Sequence, residues 1–340
     1  MAQVAGRVRV LEGCQPDRFP LGELLSESVP VVLKAMVRSW PLVQAGLRSD
    51  GEAMAYLKGF YNGRTVGTYF GPPEIDGRLF YNEAFTDLNF DVRRAPLAQT
   101  LDLIREHGED ARPPTFYIGS TTIDACLPGL RKDNDVGFAA HGFDPLASIW
   151  IGNRTLVCCH HDAPDNLACC VVGRRRFTVF PPEQIANLYP GPLDPTPGGQ
   201  AISLVDFANP DFGKYPRFRD ALAAGQLAEL EPGDALFLPS LWWHQVESLS
   251  AFNVLINYWW SLSPKFMGTP MNVLHHALMS LRDRPEKEKQ AWKSVFEYYV
   301  FGPAGRAGEH LPEHARGALG PMDDTTSRQI RAMLLNVLNR

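Results

Sequence analysis

The chain has 340 residues, 45% of them apolar and 21% charged, which is ordinary globular composition and enough for one large core or two domains. A net charge of -5 argues against a strong general affinity for nucleic acid, and no apolar run is long enough to cross a membrane. The 28 Pro and 29 Gly favour short strands and turns over a helical bundle, and the opening Met1-Ala2-Gln3-Val4-Ala5-Gly6-Arg7 lacks the apolar core of a signal peptide, so a cytoplasmic location is expected.

Val31-Val32-Leu33 after Pro30 reads as a short buried strand that ends near Ser39-Trp40-Pro41. Leu97, Leu101 and Ile104 have helical spacing over 96–107, with Pro96 to start the helix and Gly108 to stop it. Phe116-Tyr117-Ile118 reads as another strand. From about 148 to 260 the pattern is densely β-like, with strands expected at 148–151, 155–160, 167–173, 175–180, 202–205, 235–238, 243–247 and 253–260. Gly152-Asn153, Pro181-Pro182, Pro190-Gly191-Pro192 and Pro232-Gly233-Asp234 punctuate them as turns. Many short strands at such spacing suggest a jelly roll or barrel. After Pro264 the spacing becomes helical over 270–282 and 286–301. A Gly/Pro-containing linker, 302–321, then leads to a last amphipathic helix, 324–338, with Ile330, Leu334, Val337 and Leu338 on one stripe. The division expected is therefore a β domain over 1–265 and a helical region over 266–340. The terminal helix either makes a homodimer or packs back on its own barrel.

The six cysteines include two adjacent pairs, Cys158-Cys159 and Cys169-Cys170. Neighbours on a strand point to opposite faces, so neither pair is spaced to chelate a metal, and reduced core residues are expected.

The chemistry concentrates in His160-His161-Asp162 and the distant Trp243-His244. On a strand, His160 and Asp162 share a face while His161 points away. With His244 they form the ligand set of a 2-His-1-carboxylate iron site, which leaves positions open for small molecules. An H-x-D triplet alone also fits a solvated turn, and a lone His in an apolar run also fits a satisfied core histidine. By strand parity Arg175 shares a face with Val171, Phe177 and Val179. A cation there needs either an internal carboxylate or an anionic ligand gripped by two parallel hydrogen bonds. Asn166 and Asn257 are amides in strand-like surroundings; they require partners, which an enclosed dicarboxylate or the backbone at a barrel bend would supply.

In order along the chain, His160-x-Asp162-x-x-x-Asn166, Gly173-x-Arg175-Arg176, Phe180-Pro181-Pro182-Glu183-Gln184, Leu188-Tyr189-Pro190, Val205-Asp206-Phe207-x-Asn209-Pro210-Asp211, Pro232-Gly233-Asp234, Trp242-Trp243-His244 and Asn257-x-Trp259 resemble the JmjC/cupin-like oxygenases that use Fe(II) and 2-oxoglutarate. Within that family the likeness is to the asparaginyl hydroxylase of hypoxia-inducible factor and to bacterial cupin-like proteins, over roughly residues 25 to 265. The resemblance implies a double-stranded β-helix, mainly β with flanking helices, with iron on His160, Asp162 and His244. It implies that Arg175, where the family usually has Lys, holds the distal carboxylate of 2-oxoglutarate, and that Asn166, Asn257 and Tyr117 line the cosubstrate pocket. Two departures stand out. The family often carries Thr three residues before the first iron His, where this chain has Val157; a local insertion would bring Thr155 there. Ala201 and Ile202 stand where the family's peptide-gripping polar residues are sought.

The expected activity is hydroxylation of a protein side chain or a small molecule, with 2-oxoglutarate converted to succinate and CO2 and with no nucleic-acid or membrane partner. Its rivals are a non-catalytic metal-binding sensor or scaffold, and a cupin metalloenzyme that does not use 2-oxoglutarate.

Overall fold

The computed structural model of the chain describes residues 4–339. It comprises two compact units, one up to Trp260 and one from Ser261. The strands of the first unit, in chain order, are Gly6–Arg7 (β1), Arg9–Leu11 (β2), Val31–Leu33 (β3), Thr65–Gly71 (β4), Arg78–Leu79 (β5), Asp91–Pro96 (β6), Thr115–Thr122 (β7), Leu146–Gly152 (β8), Leu156–His161 (β9), Asp165–Val172 (β10), Arg175–Phe180 (β11), Gln226–Leu230 (β12), Ala235–Leu238 (β13), Trp243–Ser248 (β14) and Asn253–Trp260 (β15). Its helices are Leu21–Glu27 (α1), Pro41–Arg48 (α2), Asp50–Phe60 (α3), Leu97–Glu106 (α4), Ile123–Cys126 (α5) and Phe218–Ala224 (α6).

The strands form two sheets, a smaller one in the order β1-β12-β11-β14-β9-β5 and a larger one in the order β2-β3-β13-β10-β15-β8-β7-β4-β6. Facing each other, they make the jelly-roll core of a mainly β fold. Alternation along β10 shows how the layers are filled. Ala168 and Cys170 point between the sheets, with Phe177 and Val179 of β11 and Leu255 of β15. Leu167, Cys169 and Val171 point the other way, into a cluster with Leu42 and Val43 of α2, Leu57 of α3 and Leu97, Leu101 and Ile104 of α4. A third cluster, including Phe180, Phe207, Phe218 and Trp243, contains Cys159, whereas Cys158 packs with Tyr81 and Ile202. The cysteines are free and each adjacent pair is split between faces, as strand geometry requires.

The strand expected at 202–205 is not one. Ser203 makes a single bridge with Pro190, and its N–H donates to Cys159 O at 2.7 Å. The shared face expected for Val171 and Arg175 also fails. Gly173 turns the chain with a φ of 72°, where a Cβ would lie 2.4 Å from Asn253 Oδ1, so the parity count restarts at Arg175. The Pro232-Gly233-Asp234 turn holds as read. Gly233 has a φ of 101°, and buried Asp234 accepts from Lys34 Nζ and from the N–H groups of Ala35 and Glu231.

The second unit contains Pro270–Ser280 (α7), Glu286–Phe296 (α8), continued by a wider helical turn over Glu297–Phe301, and Asp324–Leu338 (α9). Asp323 caps α9 by accepting from Thr326 N–H at 2.7 Å. Among its described residues only Ala307 and Gly308 are buried. Val273, Leu274, Trp292, Tyr299, Phe301, Leu334 and Val337 are all exposed. No helix among the described residues is long and apolar enough to cross a membrane.

A candidate metal centre and an adjoining anion site

β9 and β14 are neighbours, and their register sets His160 directly opposite His244. The ring centroids are 4.4 Å apart. Asp162 follows the end of β9, where its carbonyl accepts from Leu241 N–H at 2.8 Å, and its Oδ2 lies 3.7 Å from His244 Nε2. One ligand atom from each of His160, Asp162 and His244 falls within 4.8 Å of the others.

The tautomers are determined by the backbone. His160 Nδ1 lies 2.9 Å from Cys158 O, and His244 Nδ1 lies 3.0 Å from Trp242 O. A carbonyl oxygen only accepts, so each Nδ1 carries the proton and each Nε2 presents a lone pair. Such second contacts orient metal-binding imidazoles, and the set fits a divalent metal held on one side by two nitrogens and a carboxylate. His161 takes no part; it packs edge-on against Trp243 at 4.7 Å.

Burial and the neighbouring His160 lower the His244 pKa to about 4, with Asp162 and the Trp242 carbonyl opposing. The unfolded chain, with an ordinary His pKa of about 6.5, therefore binds more protons than the metal-free fold between about pH 6.5 and 4. His244 thus contributes stability above about pH 6.5 that is lost as pH falls through its folded value, on the order of 3 kcal/mol by about pH 4. Thermal melts of the metal-free protein from pH 7 to 4 measure this; a flat melting temperature in wild type would contradict it.

Arg175 begins β11, opposite Leu230 of β12 and Ser248 of β14, and is 2% exposed. Among the described residues no carboxylate pairs with it, which removes the internal salt bridge. Its Nε and Nη2 are buried without partners. These two nitrogens form one edge of the guanidinium, the fork that takes a carboxylate through two parallel hydrogen bonds. Burial lowers the Arg175 pKa, as expected of a cation lacking its anion. Tyr117 is buried alongside; burial raises its pKa and Arg175 acts against the rise.

Arg175, Tyr117, Asn166, Asn257, His160, Asp162 and His244 all line one cavity of about 860 Å3 including its open mouth. Thr155 does not. Its hydroxyl is buried against Ser248 Oγ at 3.1 Å. The register of β9 against β14 slips by one residue between Val157 and His160, so a bulge turns Val157 to the cavity with His160. Val157, and not Thr155, therefore faces the cavity beside His160. Trp150, Tyr69 and Gln200, not singled out from sequence, also line the cavity. Trp150 alternates with the buried Ile149 and Ile151, a pattern that marks an inward residue but not its partner.

The cupin-like domain family matches residues 16–266. The chain is 28% identical over 314 residues to tRNA wybutosine-synthesizing protein 5 of Gallus gallus, covering 84% of this chain and 91% of that protein. It is 26% identical over 290 residues to lysine-specific demethylase 8 of Xenopus tropicalis, covering 76% and 62%. HSPB1-associated protein 1 of Bos taurus is 37% identical over 128 residues, which is 37% of this chain and about a quarter (26%) of that protein's length. With its family match, its jelly-roll core and a His-Asp-His cluster between facing sheets, the chain belongs to the cupin-like domain family, among the JmjC/cupin-like oxygenases.

Proposed function

We propose that this protein is an Fe(II)- and 2-oxoglutarate-dependent hydroxylase. The observation that carries the reading is that buried Arg175, its Nε and Nη2 without partners, lines the same cavity as His160, Asp162 and His244. When bound, Fe(II) supplies dioxygen activation coupled to decarboxylation of 2-oxoglutarate to succinate and CO2, with one oxygen atom delivered to a substrate C–H bond. His160, Asp162 and His244 would hold the metal. Asp162 is a ligand and not a general base, and no side chain acts as a nucleophile. Arg175 grips the far carboxylate of the cosubstrate, with Tyr117, Asn166 and Asn257 beside it. Leu79, Val157, Phe177 and Leu255 line the wall and keep water from the reacting atoms.

For the substrate we infer a protein side chain first and a small molecule second. The demethylase similarity supports the former, and Ile202 in the cavity wall, without a polar peptide-gripping residue, supports the latter. Oxidation of a tRNA nucleoside is favoured by the nearly full-length alignment with the wybutosine-synthesizing protein, and the net charge of -5 weighs against it.

Anaerobic Fe(II) loading followed by 2-oxoglutarate titration tests the site. A visible metal-to-ligand charge-transfer band in wild type, absent in His244→Ala, is the expected result. Iron binding with no band would favour a sensor or another cupin metalloenzyme.

A homodimer through the second unit is part of the proposal. The exposed Leu334, Leu335, Val337 and Leu338 of α9 make an apolar surface of the kind a second copy covers. Deletion of residues 322–340 is expected to convert a dimer to a monomer in light scattering; an unchanged mass would refute that role for α9.

A further inference from the structure

The Trp150 indole lies in the cavity wall, with Tyr117 on one side and Trp259 on the other, ring centroids 6.1 and 5.7 Å away. Its Nε1 donates to Asn257 Oδ1 at 2.7 Å. An indole N–H donates and never accepts, so this bond admits only one orientation of the Asn257 amide. Asn257 Nδ2 must then face the other way, where it donates to Asn166 Oδ1 at 3.2 Å. That contact in turn fixes the Asn166 amide. Its oxygen is occupied, so its Nδ2 is the group left for the cavity that Asn166 lines. The direction set at Trp150 therefore passes through two amides and emerges as a donor. Arg175, whose Nε and Nη2 have no partner, lines the same cavity. These uncommitted groups are all donors, a match for a ligand end that only accepts.

We infer that Trp150 is a positioning residue that sets the hydrogen-bond polarity of the cosubstrate cavity through Asn257 and Asn166. The inference rests on the 2-oxoglutarate reading above. Without the indole N–H, the two amides can reverse together: Asn166 Nδ2 donates to Asn257 Oδ1, and Asn166 turns its own oxygen to the cavity. An oxygen facing a carboxylate repels it where the amide N–H had bound it. The chain carries this control on β8, away from the motifs of the metal centre.

The test is a double-mutant cycle on 2-oxoglutarate binding, measured calorimetrically with Mn(II)-loaded wild type, Trp150→Phe, Asn166→Ala and the double variant. Trp150→Phe keeps an aromatic ring in the wall and removes the donor. It is expected to weaken binding about tenfold in the wild-type background and to have little further effect when Asn166 is already alanine. A merely structural Trp150 would cost the same in both backgrounds, which overturns the inference, as does a Trp150→Phe protein that binds as wild type does. If Trp150→Phe fails to fold, benzothienylalanine at 150 retains the bicyclic shape with sulfur in place of N–H, and the same outcomes apply. If wild type itself binds no 2-oxoglutarate, the proposed function fails and the inference fails with it, a result distinct from the other two.

Discussion

Arg175→Met is expected to stabilise the cosubstrate-free protein while removing 2-oxoglutarate binding. Arg175 is 2% exposed, and two of its guanidinium nitrogens have no partner. An uncompensated buried charge is costly, and a similarly sized apolar side chain removes that cost. Replacing buried ionic groups in this way has stabilised proteins by about 1–4 kcal/mol. On the proposed function the same change deletes two charge-assisted hydrogen bonds to the ligand, at about 1.5–3 kcal/mol each, which corresponds to a loss of at least about 100-fold in affinity. The two effects oppose each other in one experiment. Without ligand, Arg175→Met should melt several degrees above wild type. With 2-oxoglutarate at about 100 times its wild-type Kd, wild type should gain about 2.7 kcal/mol and the variant no more than about 0.4 kcal/mol. A variant that melts lower and still responds to 2-oxoglutarate would show that the cavity anion site lies elsewhere.

His244→Ala and Asp162→Ala should each abolish iron-dependent 2-oxoglutarate turnover and weaken metal binding by more than about 100-fold. Loss of an outer contact alone typically costs 10–100-fold, and these changes remove proposed ligands. His161→Ala is the informative control. It alters the residue between two proposed ligands in sequence, yet His161 packs on Trp243 and contributes no atom to the cluster. Its metal affinity should stay near that of wild type. Anaerobic competition with a chromophoric chelator measures all three. Strong binding by His244→Ala would remove His244 from the ligand set, and a collapse in His161→Ala would make its packing essential.

The grouping of His160, Asp162 and His244 was legible because period-two geometry carries H-x-D to one face and because His244 interrupts an apolar run. Most strands from 148 onward were legible for a related reason, that apolar segments there are separated by Pro and Gly turns; 202–205 forms no strand, and Gln226–Leu230 was not anticipated. What escaped depended on single-residue offsets or on neighbours remote in sequence. The Gly173 turn resets parity, so Val171 and Arg175 face different layers although their spacing is even. One bulged residue in β9 decides that Val157 meets the cavity together with His160, three residues on. β6, Asp91–Pro96, is an exposed edge strand whose sequence shows no apolar alternation; its form comes from pairing with β4. The Trp150–Asn257–Asn166 relay crosses three strands and cannot be read along any one of them. The helices of the second unit followed from their 3.6-residue spacing, but spacing alone does not say what covers an apolar stripe.

The connectivity of the two sheets has a kinetic consequence. β1, near the start of the chain, pairs with β12, Gly6 against Gln226. β15 is the last strand of its unit, yet it lies between β10 and β8 in the interior of the larger sheet. During synthesis neither sheet can close until these late segments leave the ribosome, so β8 and β10 wait with unfilled edges. Long-range pairing of this kind makes folding slow and exposes the nascent chain to association with other chains. A chain terminated just before Asn253 would lack the strand that joins the halves of the larger sheet, and should accumulate as aggregate instead of as a smaller barrel.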